Sequence, residues 1–270
     1  MNNIIKFLKN KKVTVKPCLP FGNLEIDFLD TLSKILMSNN NARDFSDIVA
    51  FAFWCRKKNI ISLKNKLNTV EIRMGLGCIF HITPSNVPLN FAYSFAFGLL
   101  TGNSNIVKLP SENFSQTKII CDAISKITKR DKFKIIGQKN HFFKYDSNKT
   151  EITKNISLKI DGRMVWGGDK TIEMVKNFKT KPRTKDIFFS DRYSFCIIKS
   201  AIINKCKKDI LEKTARRFYN DTYFMDQNAC SSPHLIIWLG SKKENELAKE
   251  KFWKELYKVV KVKYLLEPAN

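Results

Sequence analysis

The chain has 270 residues and a mass of 31.3 kDa, enough for one large domain or two modest ones. With 43% hydrophobic and 12% aromatic residues it can build a core, which excludes global disorder. A formal net charge of +23 attracts acidic ligands in general and names none of them, and its basic residues are spread in short runs such as "KNKKVTVK" and "INKCKKDI", which points away from nucleic acid.

No segment approaches the roughly 18–20 uninterrupted apolar residues of a membrane span. The longest apolar-looking stretch, "VPLNFAYSFAFGLL", is broken by Asn90 and Ser94. The opening "MNNIIKFLKNKK" lacks the apolar core and cleavage site of a signal peptide, so a cytoplasmic chain is expected. The seven cysteines include no CxxC pair and no Cys/His cluster at metal spacing. That usage fits free thiols in a reducing compartment, with no structural metal.

In chain order, two amphipathic helices come first. "LEIDFLDTLSKILMS" places Leu29, Leu32, Ile35 and Leu36 at helical spacing. "DFSDIVAFAFWCRKKN" offers an Asp or Ser cap, an apolar face and a basic last turn. "KNKLNTVEIRMG" reads as a connection into a strand. From Gly77 the pattern becomes α/β: strand "GCIFHI", turn "TPSNVP", buried helix "PLNFAYSFAFGLLTG", strand "NSNIVKLP", helix "NFSQTKIICDAISKIT". "HFFKYD", "ISLKIDGRMVWGG", "KTIEMVKNF", "DIFFSD" and "YSFCIIK" continue the alternation. Strands alternating with helices predict a mainly parallel, doubly wound sheet. Proline and charge in "KTKPRTK" suggest a boundary that divides the chain into 1–182 and 183–270.

Gly77 to Ser111 forms one βαβ unit, and its strand ends carry Asn86 and Lys108 toward the sheet edge where α/β folds bind ligands. An amide between Pro84 and Pro88 is placed to donate a hydrogen bond, and a lysine at a strand end suits a ribose or phosphate. On the residues alone, a turn-forming asparagine and a solvated lysine stay open as the plainer reading. "MVWGGDKTIEMV" joins a strand to a helix through two glycines, which permits close backbone approach to a ligand. "DQNACSSPHLIIW" sets Cys230 between a polar turn and an apolar run, a position equally open to packing and to chemistry.

The segment "PSNVP…GLLTGNSNIVK" resembles the cofactor-binding half of the aldehyde dehydrogenase superfamily. "AFWCRKKN", "SNVPL", "VWGGDKTI" and "DQNACSSP", in that order, more closely resemble the LuxC-type acyl-CoA reductases, from about Phe28 onward. The resemblance implies an α/β, aldehyde-dehydrogenase-like fold with N-terminal helices, a nicotinamide-binding domain over 1–182 and an incomplete catalytic lobe over 183–270. It implies reduction of a fatty acyl-CoA or acyl-carrier thioester to the aldehyde, through a thioester on Cys230, with Asn86 donating to the oxyanion. Lys108, Ser111, Gly167 and Gly168 are then the cofactor-binding residues. Ser111 stands where NAD-preferring relatives carry a glutamate and leaves room for a 2′-phosphate, so NADPH is expected, with NADH the alternative because Glu112 is adjacent.

Two departures qualify that expectation. The position of the hydrolytic enzymes' glutamate base falls in "IFFSDRYS" at Phe188, which disfavours water as the acyl acceptor. Only 40 residues follow Cys230, fewer than the family pattern has, which suggests a C-terminally truncated form. An inactive remnant, or one piece of a split reductase awaiting a complementing fragment, is the alternative function, and a homo-oligomer the alternative assembly. His234, four residues after Cys230, would share its face if both lay on one strand, though a surface or core role is the expected one. His81, on the first strand, is expected to be structural.

Overall fold

The structure is a computed structural model that describes residues 17–67, 71–85, 87–223, 227 and 229–264. Asn86 therefore lies outside the described residues.

Four helices precede the first strand among the described residues: α1 (Asn23–Ser38), α2 (Asn40–Arg43), α3 (Ser46–Trp54) and α4 (Lys57–Lys66). The stripe Ile26, Leu29, Leu32 and Leu36 buries α1, and Phe28 meets Phe95 and Phe133 edge-on at 6.3 and 5.8 Å. Such pairs add about 0.5–1.5 kcal/mol beyond the area they bury. The basic run expected to close α3 instead opens α4. Arg56 is extended (φ −58°, ψ 137°), Asn59 Nδ2 donates to the Phe53 carbonyl at 2.6 Å, and Asp30 accepts the Lys57 N–H at 2.9 Å. Those side chains satisfy backbone groups at both new helix ends, so the break is stable. The N-cap of α3 is Phe45, which offers no side-chain bond, and in the first turn Asp47 Oδ1 accepts the Ile48 N–H at 2.8 Å.

Five strands follow: β1 (Cys78–Ile82), β2 (Ser104–Lys108), β3 (Asn140–Phe143), β4 (Gly162–Trp166) and β5 (Lys185–Phe189). They form one sheet in the order β3-β2-β1-β4-β5, every pair parallel. Helices α5 (Asn90–Leu100), α6 (Ser115–Thr128) and α7 (Lys134–Lys139) cover one face together with α1 and α3, while α8 (Thr150–Ser157) and α9 (Asp169–Lys176) cover the other. This is the doubly wound sheet that the alternation predicts. Glycine is required at its amino edge: Gly77 has φ +131°, and a Cβ there would collide with the Asp161 carboxylate that accepts the Cys78 N–H at 2.9 Å.

Arg163 sits inside the second of these layers, 2% exposed. Its Nε donates to Asp186 Oδ1 at 2.7 Å, Nη2 to Asp186 Oδ2 at 2.5 Å, and Nη1 to the Val175 carbonyl at 2.8 Å. The bidentate pair spans β4 and β5, whose register sets the two residues side by side.

The chain divides into two units at Ser190/Asp191. The proline-containing stretch ahead of residue 183 is the crossover loop into β5, which pairs with β4 and so belongs to the first unit. The second unit holds a two-stranded parallel sheet, β6 (Ser194–Lys199) and β7 (Pro233–Leu239), with α10 (Ser200–Lys205), α11 (Lys208–Thr222) and α12 (Lys242–Lys263). Ser241 caps α12 reciprocally with Glu244. Phe252, Leu256, Ala248, Leu211 and Ala215 form its core. The opposite face of the sheet leaves Phe195, Ile197, Leu235, Ile237 and Leu239 between 37% and 58% exposed. Among the described residues no helix is long and apolar enough to cross a membrane.

Candidate functional site

The register of the first sheet brings its strand ends to one edge. Ile82 pairs with Lys108 and with Val165, Lys108 pairs with Phe143, and Trp166 pairs with Phe189. Strand order reverses between β1 and β4, the switch point at which open parallel sheets hold ligands. The β1 turn, Lys108, the loop with Ser111 and the Gly167–Gly168 turn all leave the sheet on this edge.

Lys108 is not solvated; it is 6% exposed. Its Nζ donates to Ser147 Oγ at 2.9 Å and lies 5.2 Å from the centre of the Tyr145 ring. Desolvation holds its pKa below the ordinary lysine value, and nearby Asp146 opposes that shift. Thr83 Oγ1 donates to the Lys108 carbonyl at 2.7 Å, tying the end of β1 to the end of β2. The sequence missed Ser147 and Tyr145, which lie 39 and 37 positions from Lys108 in no periodic relation to it.

Ser111 Oγ is buried and has no hydrogen-bond partner, one of few such atoms among the described residues. An unmet buried hydroxyl costs about 1–3 kcal/mol unless a ligand meets it. Beside it, Lys144 Nζ donates to the Glu112 carbonyl at 2.9 Å and to Asn113 Oδ1 at 2.5 Å, which fixes the loop. Gly167 N–H donates to the Phe189 carbonyl at 3.2 Å. Gly168 is the N-cap of α9, in extended conformation (φ −68°, ψ 166°). Neither glycine is needed for a left-handed backbone; a Cβ at Gly167 would come within 3.2 Å of Thr171, so this glycine makes room for the first turn of α9.

Cys230 lies in the second unit, in a turn closed by Ser232 N–H donating to the Ala229 carbonyl at 2.8 Å. Ser194 Oγ, at the start of β6, donates to the Cys230 carbonyl at 2.6 Å, and Ser232 Oγ donates to the Asp221 carbonyl at 3.0 Å. Of the seven cysteines it alone is exposed. Burial pushes the Cys78 and Cys121 thiols up to about 12 and raises Cys55 further still. The strand begins at Pro233, so the shared-face relation considered for Cys230 and His234 does not hold. His234 instead stands 5.4 Å from the Tyr193 ring. Phe188 packs on the α9 side of the sheet, with Lys176 Nζ 4.9 Å from its ring centre. His81 is fully buried, as its place on the first strand suggests.

A family model described as Acyl-CoA reductase (LuxC) matches residues 30–262. A long-chain acyl-protein thioester reductase from Photorhabdus laumondii subsp. laumondii is 27% identical over 168 residues, which is 62% of this chain and 33% of the relative. Its counterpart from Aliivibrio fischeri is 26% identical over 178 residues, 64% of this chain and 35% of the relative. The chain thus aligns with about a third of the length of these curated relatives. Among solved structures, a lactaldehyde dehydrogenase superposes with a TM-score of 0.61 at 16% identity, over 88% of this chain and 51% of that one. An oxidoreductase from Marinobacter aquaeolei gives a TM-score of 0.65 at 12% identity, over 95% of this chain and 56% of that one. Identities this low speak for the fold alone, and the fold is aldehyde-dehydrogenase-like. With the family model spanning most of its length, the chain belongs to the LuxC acyl-CoA reductase family.

Proposed function

We propose that this chain carries out reduction of a fatty acyl-CoA or acyl-carrier thioester to the aldehyde with NADPH, with Cys230 as the nucleophile. The observation that carries the reading is the distribution of thiols. A nucleophile must be reachable and able to ionise, and Cys230 is the exposed thiol while burial suppresses ionisation of Cys55, Cys78 and Cys121.

In this reading the Cys230 thiolate attacks the acyl carbonyl, a carbon–sulfur bond forms, and the carrier thiol leaves. The nicotinamide, when bound, supplies a hydride to that carbonyl carbon. Collapse of the resulting oxyanion breaks the enzyme's carbon–sulfur bond, releasing aldehyde and restoring the thiol. Asn86, by family resemblance, donates to the developing oxyanion. Phe188 provides no carboxylate to activate water, which fits transfer to hydride rather than hydrolysis.

The residues of the first unit fit a nicotinamide dinucleotide. The unpartnered Ser111 Oγ offers a hydroxyl to a ribose or its phosphate, and Lys108 offers an ammonium held by Ser147. The Gly167–Gly168 turn opens α9 where a pyrophosphate gains from backbone N–H groups. A serine rather than a carboxylate at residue 111 favours NADPH over NADH. The net charge of +23 speeds encounter with coenzyme A or an acidic carrier protein. On this reading the first unit is the cofactor-binding domain and the second a partial catalytic domain.

One observation favours a second reading, nucleotide binding without turnover by one piece of a split reductase. It is the bare apolar face of β6 and β7, which a complementing α/β fragment would cover.

Intact mass after brief incubation with an acyl-CoA separates the two. An acyl adduct that Cys230→Ala lacks and NADPH discharges supports the reductase. No adduct on folded protein that still binds NADPH supports the second reading.

A further inference from the structure

Trp166 ends β4 immediately before the Gly167–Gly168 turn, half-buried at the ligand-binding edge. Its ring lies parallel to that of Phe189 on β5, with centroids 3.8 Å apart and 9° between planes. Its indole N–H donates to Ser94 Oγ of α5 at 3.1 Å.

From Ser94 one directed run of hydrogen bonds crosses the sheet. Asn105 Nδ2 donates to the Asn103 carbonyl at 3.2 Å, and Asn140 Nδ2 donates to the Ile136 carbonyl at 2.7 Å. A backbone carbonyl only accepts, so both amides have a fixed orientation. Asn105 Oδ1 must then accept from His81 Nε2 at 2.8 Å, which makes His81 Nδ1 the acceptor of the Ser94 hydroxyl at 2.8 Å. That leaves a Ser94 lone pair for the indole, and Met164 Sδ lies 3.2 Å from the same oxygen. Burial lowers the His81 pKa to about 4, so this sense persists at neutral pH. Gly98 makes room for the run, because a Cβ there would collide with Asn105 Oδ1 and His81 Nε2.

A buried indole N–H needs a partner in any case, and here that partner also sets the plane of the ring. That ring is held in plane by an aromatic neighbour and a buried polar chain, at the edge where the sheet takes ligands. Lys108 ends β2 and Ser111 follows it on one side of β1, and Trp166 ends β4 on the other. A dinucleotide across the switch point, with its adenosine at Lys108, brings its far ring to Trp166. We propose that Trp166 is a wall of the nucleotide site on which the nicotinamide ring stacks, and that Ser94 and His81 are positioning residues that hold its plane. The inference rests on the nucleotide reading above.

Calorimetric titration with NADPH and with 2′,5′-ADP, its adenosine half, tests both together. Trp166→Ala is expected to weaken NADPH roughly tenfold, the scale of one base–aromatic stack, and to leave 2′,5′-ADP unchanged. Ser94→Ala should weaken NADPH by about threefold, less than loss of the ring. Energy transfer from indole to bound NADPH is the second readout, since reduced nicotinamide absorbs where indole emits. Trp166→Phe keeps a stacking ring, so affinity should hold while the quench falls well below that of Trp54→Phe. Ser94→Ala should also reduce that quench. Wild-type affinity in Trp166→Ala, or equal loss of both ligands, overturns the inference and spares the nucleotide reading. Wild-type protein that binds neither ligand overturns both.

Discussion

In the first unit β1 and β2 are buried at every position, whereas β6 and β7 of the second alternate between partly buried and exposed. Both pairs are parallel, and each strand carries an unbroken apolar run: "CIF" and "IV" against "FCII" and "LIIWL". Parallel strands normally carry such runs because helices cover both faces. The first unit meets that requirement with two helical layers. Among the described residues the second covers only the face with Ile198 and Trp238, which packs on Phe252 of α12, so its sequence calls for more cover than these helices give.

The strongest way to break this contrast acts on the first unit. Asp186→Ala removes the partner of a guanidinium that is 2% exposed, and should cost roughly 3–5 kcal/mol in urea unfolding. A loss under about 1 kcal/mol would mean that β4 and β5 are not held as tightly as their burial indicates.

A second, somewhat smaller effect is set by pH. Between pH 6.5 and about 4 the unfolded chain protonates His81 and the folded chain does not. Stability present above pH 6.5 is therefore lost as pH falls through this window, by roughly 3 kcal/mol in full. His141, also lowered by burial, adds in the same direction. Unfolding free energies of His81→Gln should show a clearly flatter slope over that range, and an unchanged slope would place the titration elsewhere.

The smallest effect sharpens the contrast from the other side. Ile197→Thr and Ile237→Thr alter the bare face of the second sheet, where the two side chains are 54% and 37% exposed. Each should change stability by no more than about 0.5 kcal/mol. A loss of several times that would reveal cover on this face in solution.

Much of this architecture was legible because it is local. Glycine and proline punctuate "GCIFHITPSNVP", and helical spacing marks α1 and α6, so the order of elements follows from the residues. The ligand edge follows from that order, since parallel strands place all their ends together. The partners of Lys108, Trp166 and Arg163 were not legible, because they arrive from 39, 72 and 23 positions away. Periodicity carries no information about such pairs. An arginine inside the strand "GRMVW" was the one available signal, since a charge in a covered strand demands a partner. The break between α3 and α4 escaped because Asn59 and Asp30 create it through side-chain bonds to the backbone. The second unit's start was displaced because a charged loop with a proline marks a crossover as readily as a boundary.

The thiols also make the chain its own reporter. Cys55 and Cys78 of the first unit are buried, whereas Cys196 and Cys206 of the second are only partly so. Alkylation at the two buried sites proceeds through opening of the surrounding structure, so its rate measures local opening energy. Once Cys230 is blocked, labelling followed peptide by peptide would give separate opening energies for the helical layer around Cys55 and the sheet strand at Cys78 within one native sample, with no added probe.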